Sequence, residues 1–308
     1  MSYNHYDTVI IGAGAGGLSA GLYAARSRMK TLILERGQMG GQTATTEDVE
    51  NYPGSIENPT GPKLMERMKK QSEEFGCEIK QENVENIEKK ENIFVVKTNK
   101  NTYEAKTMII ATGAEPKLLG VPGEIEYRGR GVSYCATCDG DFFQELNIAV
   151  VGGGDSAVEE GMYLTKFANK VTLIHRRDEL RAVKSLQERA FANEKMEFIW
   201  DTVVEEIKGN GVVQSLVLKN KKTNELSELK VDGVFIYVGY QPISQLFQGL
   251  VEMDEIGYIL GDEEMRTNVP GLFVAGDVRK KMLKQIITAA ADGAIAAVSA
   301  ERYIAENF

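Results

Sequence analysis

Two cysteines stand two residues apart in Cys135-Ala136-Thr137-Cys138, followed at once by Asp139-Gly140-Asp141. Such a pair admits three chemistries. Zinc needs about four ligands, and the other candidates are Cys77, His5 and His175, none of them in a second pair at ligand spacing. Two structural cysteines would account for packing but not for the acids that follow. Vicinal thiols that cycle to a disulfide are the third reading. Exchange needs one thiol deprotonated to attack and another protonated to leave. With only two histidines in the chain, Asp139 is the residue to manage that proton, provided burial lifts its pKa. Asp141 reads as a loop or cap residue, Cys77 as a structural thiol, His5 as an exposed terminal residue and Trp200 as a packing group.

The second chemistry lies in two glycine fingerprints. Gly12-Ala13-Gly14-Ala15-Gly16-Gly17 follows a short apolar strand at 7–11, and Gly152-Gly153-Gly154-Asp155-Ser156-Ala157 follows another at 147–151. Each opens a helix (18–26 and 158–167) and leads to a second strand (30–35 and 170–175). A glycine turn between strand and helix seats a pyrophosphate at the helix N-terminus, where free N–H groups and the dipole favour anions. The residue 23 positions beyond the first glycine selects the nucleotide. It is Glu35 in the first copy, an acceptor for ribose hydroxyls. In the second it is His175, followed by Arg176-Arg177-Asp178-Glu179-Leu180-Arg181. No carboxylate meets the ribose there; Arg176, Arg177 and Arg181 form a clamp for a 2′-phosphate, which selects NADPH over NADH. The plain alternative is a solvated helix start. Two dinucleotide sites in one chain imply electrons passing between cofactors, FAD at the first and exchangeable NADPH at the second. Gly40, Gly41 and Gln42 would let backbone approach a flavin ring, or form a surface turn.

These sites require a repeated βαβ unit with parallel strands and a right-handed crossover. The modules also end alike: a strand at 108–111 closed by Thr112-Gly113, one at 234–238 closed by Gly239, and one at 271–275 closed by Gly276-Asp277 before a helix at 284–304. Segments 82–98 and 203–229 alternate as antiparallel meanders. The expected layout is discontinuous, with residues 1–115 and 246–308 forming an FAD-binding domain and 116–245 an NADPH-binding domain carrying the cysteine pair. A length of 308 residues suits two domains. Thirty-one glycines exceed the usual ~7% of a chain. A net charge of −9 argues against a protein that coats nucleic acid or anionic lipid. No signal segment or bilayer-spanning run is expected, since 286–300 is broken by Asp292. The expected location is the cytoplasm, with no bound metal.

Taken together, Gly12–Gly17, Gly41-Gln42, Asn51-Tyr52-Pro53-Gly54, Thr112-Gly113, Cys135–Gly140, Gly152–Ala157, His175–Arg181 and Gly276-Asp277 resemble the bacterial-type low-molecular-weight thioredoxin reductases. The resemblance covers nearly the whole chain. It implies an α/β protein of two Rossmann-like domains with three-layer ββα architecture, the second inserted in the first. It also implies a homodimer in which NADPH reduces FAD, FAD reduces a Cys135–Cys138 disulfide, and the dithiol reduces thioredoxin. In that family the second cysteine, here Cys138, faces the flavin, Cys135 attacks the partner's disulfide, and Asp139 occupies the acid position. The same carry-over assigns Asn51, Val84, Thr112, Gly113, Asp277, Gln285 and Ile286 to FAD, and Asp155, Ser156, Ala157, His175 and Gly239 to NADPH, beside the glycines and arginines above. The family's NADPH domain rotates so that nicotinamide and dithiol take turns at the flavin.

Two departures are visible. Lys284-Gln285-Ile286-Ile287 stands where many members carry Arg-Gln-Ala. Ferredoxin-using relatives have lost the glycine and arginine motifs of the second domain, and both are intact here. The rival readings are the flavoprotein reductase of a peroxiredoxin system, expected to need an added N-terminal module for which a flavin strand starting at Asp7 leaves no room, and a redox-sensing module that holds nucleotides without turnover.

Overall fold

The computed structural model describes residues 4–45, 49, 52–55, 57 and 60–308. The chain divides into two compact units, Met1–Glu115 with Gln241–Phe308, and Pro116–Tyr240.

The first unit opens with β1 (Asn4–Ile11), α1 (Ala15–Arg26), β2 (Thr31–Glu35), α2 (Gly61–Glu74), β3 (Glu78–Gln81), β4 (Val84–Lys90), β5 (Ile93–Thr98) and β6 (Thr102–Ile110). These strands form one sheet in the order β3-β2-β1-β6-β5-β4. The first three and β6 run parallel, and β4-β5-β6 is an antiparallel meander. The apolar runs Val9-Ile10-Ile11, Leu32-Ile33-Leu34 and Met108-Ile109-Ile110 are buried on both faces, as parallel central strands require. Side chains alternate across a strand. Accordingly Ile10, Ile33 and Ile109 join one core with α1, while Val9, Ile11, Leu32, Leu34, Met108 and Ile110 join the other with Phe94 and Tyr103.

After β7 (Ala114–Pro116) the chain builds the second unit: β8 (Val132–Ser133), α3 (Ala136–Asp139), β9 (Asn147–Gly152), α4 (Asp155–Leu164), β10 (Lys170–Ile174), α5 (Lys184–Phe191), β11 (Met196–Ile199), β12 (Thr202–Gly209), β13 (Val213–Asn220), β14 (Leu226–Lys230) and β15 (Gly233–Tyr237). A parallel sheet, β11-β10-β9-β15-β8, lies between two other layers. Ile148, Val150, Leu173 and Phe235 pack with Val158 of α4 and Leu186 of α5. Ala149, Val151, Ile174 and Val234 pack with Val204, Ile207 and Leu216 of the antiparallel β12-β13-β14 sheet. The helix after the second fingerprint starts three residues earlier than its apolar pattern implies, because Gly154 is extended (φ −92°, ψ −179°) and serves as the N-cap. It also ends earlier: Thr165, Lys166 and Phe167 each bond three residues back, a tightened final turn.

The chain returns through β16 (Tyr240–Pro242), which pairs with β7, then forms β17 (Leu272–Val274) and α6 (Ile286–Asn307). Strand β17 takes the C-terminal half of β6, with Leu272 opposite Met108. Helix α6 starts at a capping box between Gln285 and Thr288. Its small residues allow close approach to α1: a Cβ added at Gly293 would overlap the Gly16 carbonyl oxygen, and Ser19 Oγ donates to the Ala290 carbonyl at 2.7 Å. Among the described residues no helix is long and apolar enough to cross a membrane.

Candidate active site

In the first unit, β1 delivers the chain into the turn that ends in α1. Gly12 has φ +106°, and a side chain at Gly17 would overlap the Gly12 carbonyl oxygen, so helix and turn meet backbone to backbone. Gly14 is different: a Cβ there would meet nothing within 4 Å. It caps α1 without a side-chain hydrogen bond, and the first turn of α1 contains no acid. The cradle is therefore open, with free N–H groups and no competing anion. Glu35 at the end of β2 is fixed by two backbone donors, Ala13 N–H to Oε2 and Gly37 N–H to Oε1, each 2.8 Å. Its remaining lone pairs can accept hydroxyls. Gly40 N–H donates to the Ala13 carbonyl at 2.9 Å, and a Cβ on Gly41 would lie 3.5 Å from Gly14 Cα. Gly40-Gly41 thus closes over the fingerprint instead of forming a detached surface turn. Gln42 is an exposed residue of the 3-10 turn Gly41–Thr45.

Asp277 follows β17. Burial pushes its carboxyl above the usual carboxylate range, and the Lys281 ammonium opposes that shift. Its Oδ1 is buried without a well-formed hydrogen bond, Lys281 Nζ standing 3.5 Å away. A buried acceptor left open in this way fits a hydroxyl-rich nucleotide. Asp292, which reads in sequence as a break in an apolar run, is a buried hub. It accepts from Gly276 N–H (3.1 Å), Arg279 Nη2 (3.2 Å) and Lys281 Nζ (3.0 Å), tying the Asp277 turn to α6. Thr112 spends its hydroxyl on the Ile243 carbonyl at 2.6 Å, and Gly113 (φ +74°) accepts the Ile243 N–H. Val84 begins β4 and packs against the core that contains Ile11 and Leu34. Gln285 and Ile286 are the cap and first residue of α6. Asn51 lies outside the described residues.

The second cradle repeats the first in the other unit. Gly154 caps α4 with no side-chain bond and open space beside it. Ala157 is buried at the third position, and Ser156 is exposed. Asp155 Oδ1 accepts the Val183 N–H at 2.8 Å, so this acid braces the loop before α5. His175 follows directly on β10. It is buried beneath Gly153, where any side chain would overlap its ring. Burial pushes its imidazole below the usual histidine range, against a hydrogen bond with the Gly152 backbone, and Nε2 has no hydrogen-bond partner. Arg176, Arg177 and Arg181 are exposed on a loop, not on a helix start, since α5 begins at Lys184. Arg181 N–H donates to the Gly153 carbonyl at 2.7 Å, which joins this loop to the fingerprint. Gly239 (φ +112°) follows β15.

The cysteine pair lies in the same unit, Cys135 as the N-cap of α3 and Cys138 within it. Cys135 is disulfide-bonded, whereas Cys77 is a buried free thiol. Asp139 closes the short helix. Burial pushes its carboxyl above the usual range, against a hydrogen bond from Ser133. Behind the turn, the Ala136 N–H donates to Tyr237 Oη at 2.6 Å. Tyr237 ends β15 opposite Gly152, so one residue touches both the nucleotide turn and the cysteine turn. Burial, then the nearby Glu160 carboxylate, holds the Tyr237 phenol well above its ordinary pKa. Tyr237 escapes sequence reading because its partner Ala136 lies about a hundred residues earlier in the chain, and Ser133 because no motif announces its bonds to Cys135 and Asp139. Among the described residues no group of three or more His, Cys, Asp or Glu side chains converges as a metal site.

Two open cradles and a CxxC turn whose Cys135 is disulfide-bonded define a dinucleotide-dependent disulfide oxidoreductase. The chain belongs to the pyridine nucleotide-disulphide oxidoreductase family, which it matches over residues 6–293. It is 55% identical to a thioredoxin reductase of Peptoclostridium litorale over 99% of both chains. It is 51% identical to one of Bacillus subtilis over 98% of this chain and 95% of that one. Among solved structures it resembles Lactococcus lactis thioredoxin reductase in its FR conformation, with a TM-score of 0.79, 50% identity and coverage of 98% and 99%.

Proposed function

We propose that this chain is an NADPH-dependent thioredoxin-disulfide reductase. The observation that carries the reading is the disulfide-bonded Cys135 on a turn beside the raised-pKa Asp139, built into the same unit as the second glycine fingerprint and its arginines. Gly12, Gly14, Gly17, Glu35, Gly40, Gly41 and Asp277 would hold FAD. Gly152, Gly154, Arg176, Arg177 and Arg181 would hold NADPH. When bound, the two cofactors supply two-electron reducing power to the disulfide. The rest belongs to the chain's own residues. Cys135, as thiolate, attacks one sulfur of the thioredoxin disulfide and releases the other as a thiol. Cys138 then attacks the mixed disulfide, freeing reduced thioredoxin and restoring the Cys135–Cys138 bond. Asp139 holds the proton that the departing sulfur takes up.

The reading extends to a homodimer working in the cytoplasm, where a free Cys77 thiol is at home. The test is a steady-state assay with NADPH, NADH and reduced ferredoxin as donors and thioredoxin as acceptor. We expect yellow protein, turnover with NADPH, and no thioredoxin turnover after Cys138→Ser while flavin reduction by NADPH survives. Retained thioredoxin turnover in Cys138→Ser overturns the dithiol assignment, and flavin-loaded protein with no turnover at all favours a sensor.

A further inference from the structure

The arginine loop carries its own acids. Asp178 and Glu179 follow Arg177 directly, and Asp201 N–H donates to the Arg177 carbonyl at 3.1 Å. Three guanidiniums therefore stand among three carboxylates, a set that could neutralise itself and leave nothing for a phosphate. It does not: among the described residues none of Arg176, Arg177 and Arg181 makes an ion pair. Asp178 Oδ2 instead meets Lys222 Nζ at 3.0 Å, and the same ammonium meets Asp201 Oδ2 at 2.9 Å.

Lys222 comes from the turn between β13 and β14, 44 residues beyond Asp178. That turn is firmly seated. Lys221 N–H donates to the Asp201 carbonyl at 2.6 Å, and the Lys222 and Thr223 N–H groups donate to Asn220 Oδ1 at 2.9 and 3.0 Å. Asp201 itself is held at φ +53°. Its pairs with Asp201 and Asp178 hold the Lys222 ammonium above the usual lysine range, and Lys222 in turn holds the Asp178 carboxyl below the usual carboxylate range. The β13–β14 turn, the Asp201 corner and the arginine loop are fastened together by one exposed lysine.

We propose that Lys222 is a positioning residue that sets nucleotide specificity: by engaging Asp178 and Asp201 it keeps Arg176, Arg177 and Arg181 uncompensated, so that they recognise a phosphate monoester such as the 2′-phosphate of NADPH. This rests on the NADPH reading of the arginine loop. A neutral set of charges becomes net positive through a residue that never touches the nucleotide. Because the charges are exposed, the contribution is long-range, modest and screened by salt.

The test is steady-state kinetics of the flavin-loaded enzyme with NADPH and NADH at low and high salt. Lys222→Gln is expected to raise KM for NADPH three- to tenfold at low ionic strength, with KM for NADH and kcat within about twofold, and added salt should shrink the difference. Adding Asp178→Asn should recover most of the loss, and Lys222→Arg should keep wild-type behaviour even if Lys222→Gln folds poorly. An unchanged KM for NADPH in Lys222→Gln, equal losses for both nucleotides, or no recovery with Asp178→Asn overturns the proposal. Arg177→Ala is run in parallel. If it shifts the NADPH preference while Lys222→Gln does not, only the role of Lys222 falls. If Arg177→Ala leaves the preference intact, the clamp reading falls and takes this proposal with it.

Discussion

Ser133 donates its hydroxyl to Asp139 Oδ2 across 2.5 Å, and its oxygen accepts the Cys135 N–H at 3.1 Å. One serine therefore joins the acid to the cysteine turn. Burial raises the Asp139 carboxyl, and the serine bond, which favours the ionised form, lowers it again. A group acting as an acid works while it is protonated, so thioredoxin turnover should fall as pH rises through the Asp139 pKa. Ser133→Ala removes the lowering contribution. The alkaline limb of kcat/KM for thioredoxin should then move to higher pH by up to about one unit, since a hydrogen bond worth ~0.5–1.5 kcal/mol corresponds to that shift. Asp139→Asn should lose the limb and most of the activity. A Ser133→Ala profile that moves to lower pH would contradict the assignment.

The Tyr237 hydroxyl is the acceptor for the Ala136 amide, and Tyr237→Phe removes it while keeping the ring. The stranded buried amide should cost about 1–3 kcal/mol. That corresponds to a melting temperature lower by at least about 2–4 °C. Because the phenol is held well above its ordinary pKa, wild-type and variant profiles should show no tyrosine ionisation near neutral pH. An unchanged melting temperature would mean that the amide finds another partner.

What could be read in the sequence was local. The glycine spacings, the 23-residue offset to Glu35 and the CxxC turn each depend on a few consecutive backbone positions, and the apolar runs of the parallel strands announce their own burial. The same offset reaches His175 in the second copy, where the ring packs under Gly153, a placement that spacing alone does not specify because position along a strand does not fix which face a side chain takes after the strand ends. Lys222, Asp292 and Tyr237 are not legible because each acts on a partner from another element, which only the folded chain brings close. Ser133 lies only two and six residues from Cys135 and Asp139, yet no motif announces it; the turn into α3 alone aims its hydroxyl at both.

Cys77 should be chemically silent. It lies between α2 and β3, and burial pushes its thiol up to about 11. Below that pH it stays protonated and non-nucleophilic. In the reduced native enzyme at pH 8, alkylation should mark Cys135 and Cys138 and leave Cys77 until the protein is denatured. The linkage has a sign: a folded pKa above the unfolded thiol's ~8.5 stabilises the fold fully below that value, and the contribution is lost as pH rises through about 11. Rapid labelling of Cys77 at pH 8, read by peptide mass, would show that the burial is not maintained.

Gly14 and Gly17 separate cofactor binding from folding. A methyl at Gly17 would overlap the Gly12 carbonyl oxygen, so Gly17→Ala must push α1 off the end of β1. Both fold and flavin site should suffer, with low soluble yield and a depressed melting temperature even without FAD. A methyl at Gly14 meets nothing within 4 Å and sits at φ −76°, which any residue accepts. The flavin-free form of Gly14→Ala should therefore melt within about 1–2 °C of flavin-free wild type, because an unstrained surface change is worth only about 0.5 kcal/mol. The methyl nevertheless occupies the space through which a pyrophosphate would approach the helix N-terminus. Gly14→Ala should consequently purify with little flavin and take up added FAD at least tenfold more weakly. A fully yellow Gly14→Ala protein would move the first nucleotide site away from this turn, and a stable, soluble Gly17→Ala protein would show that α1 can shift without cost.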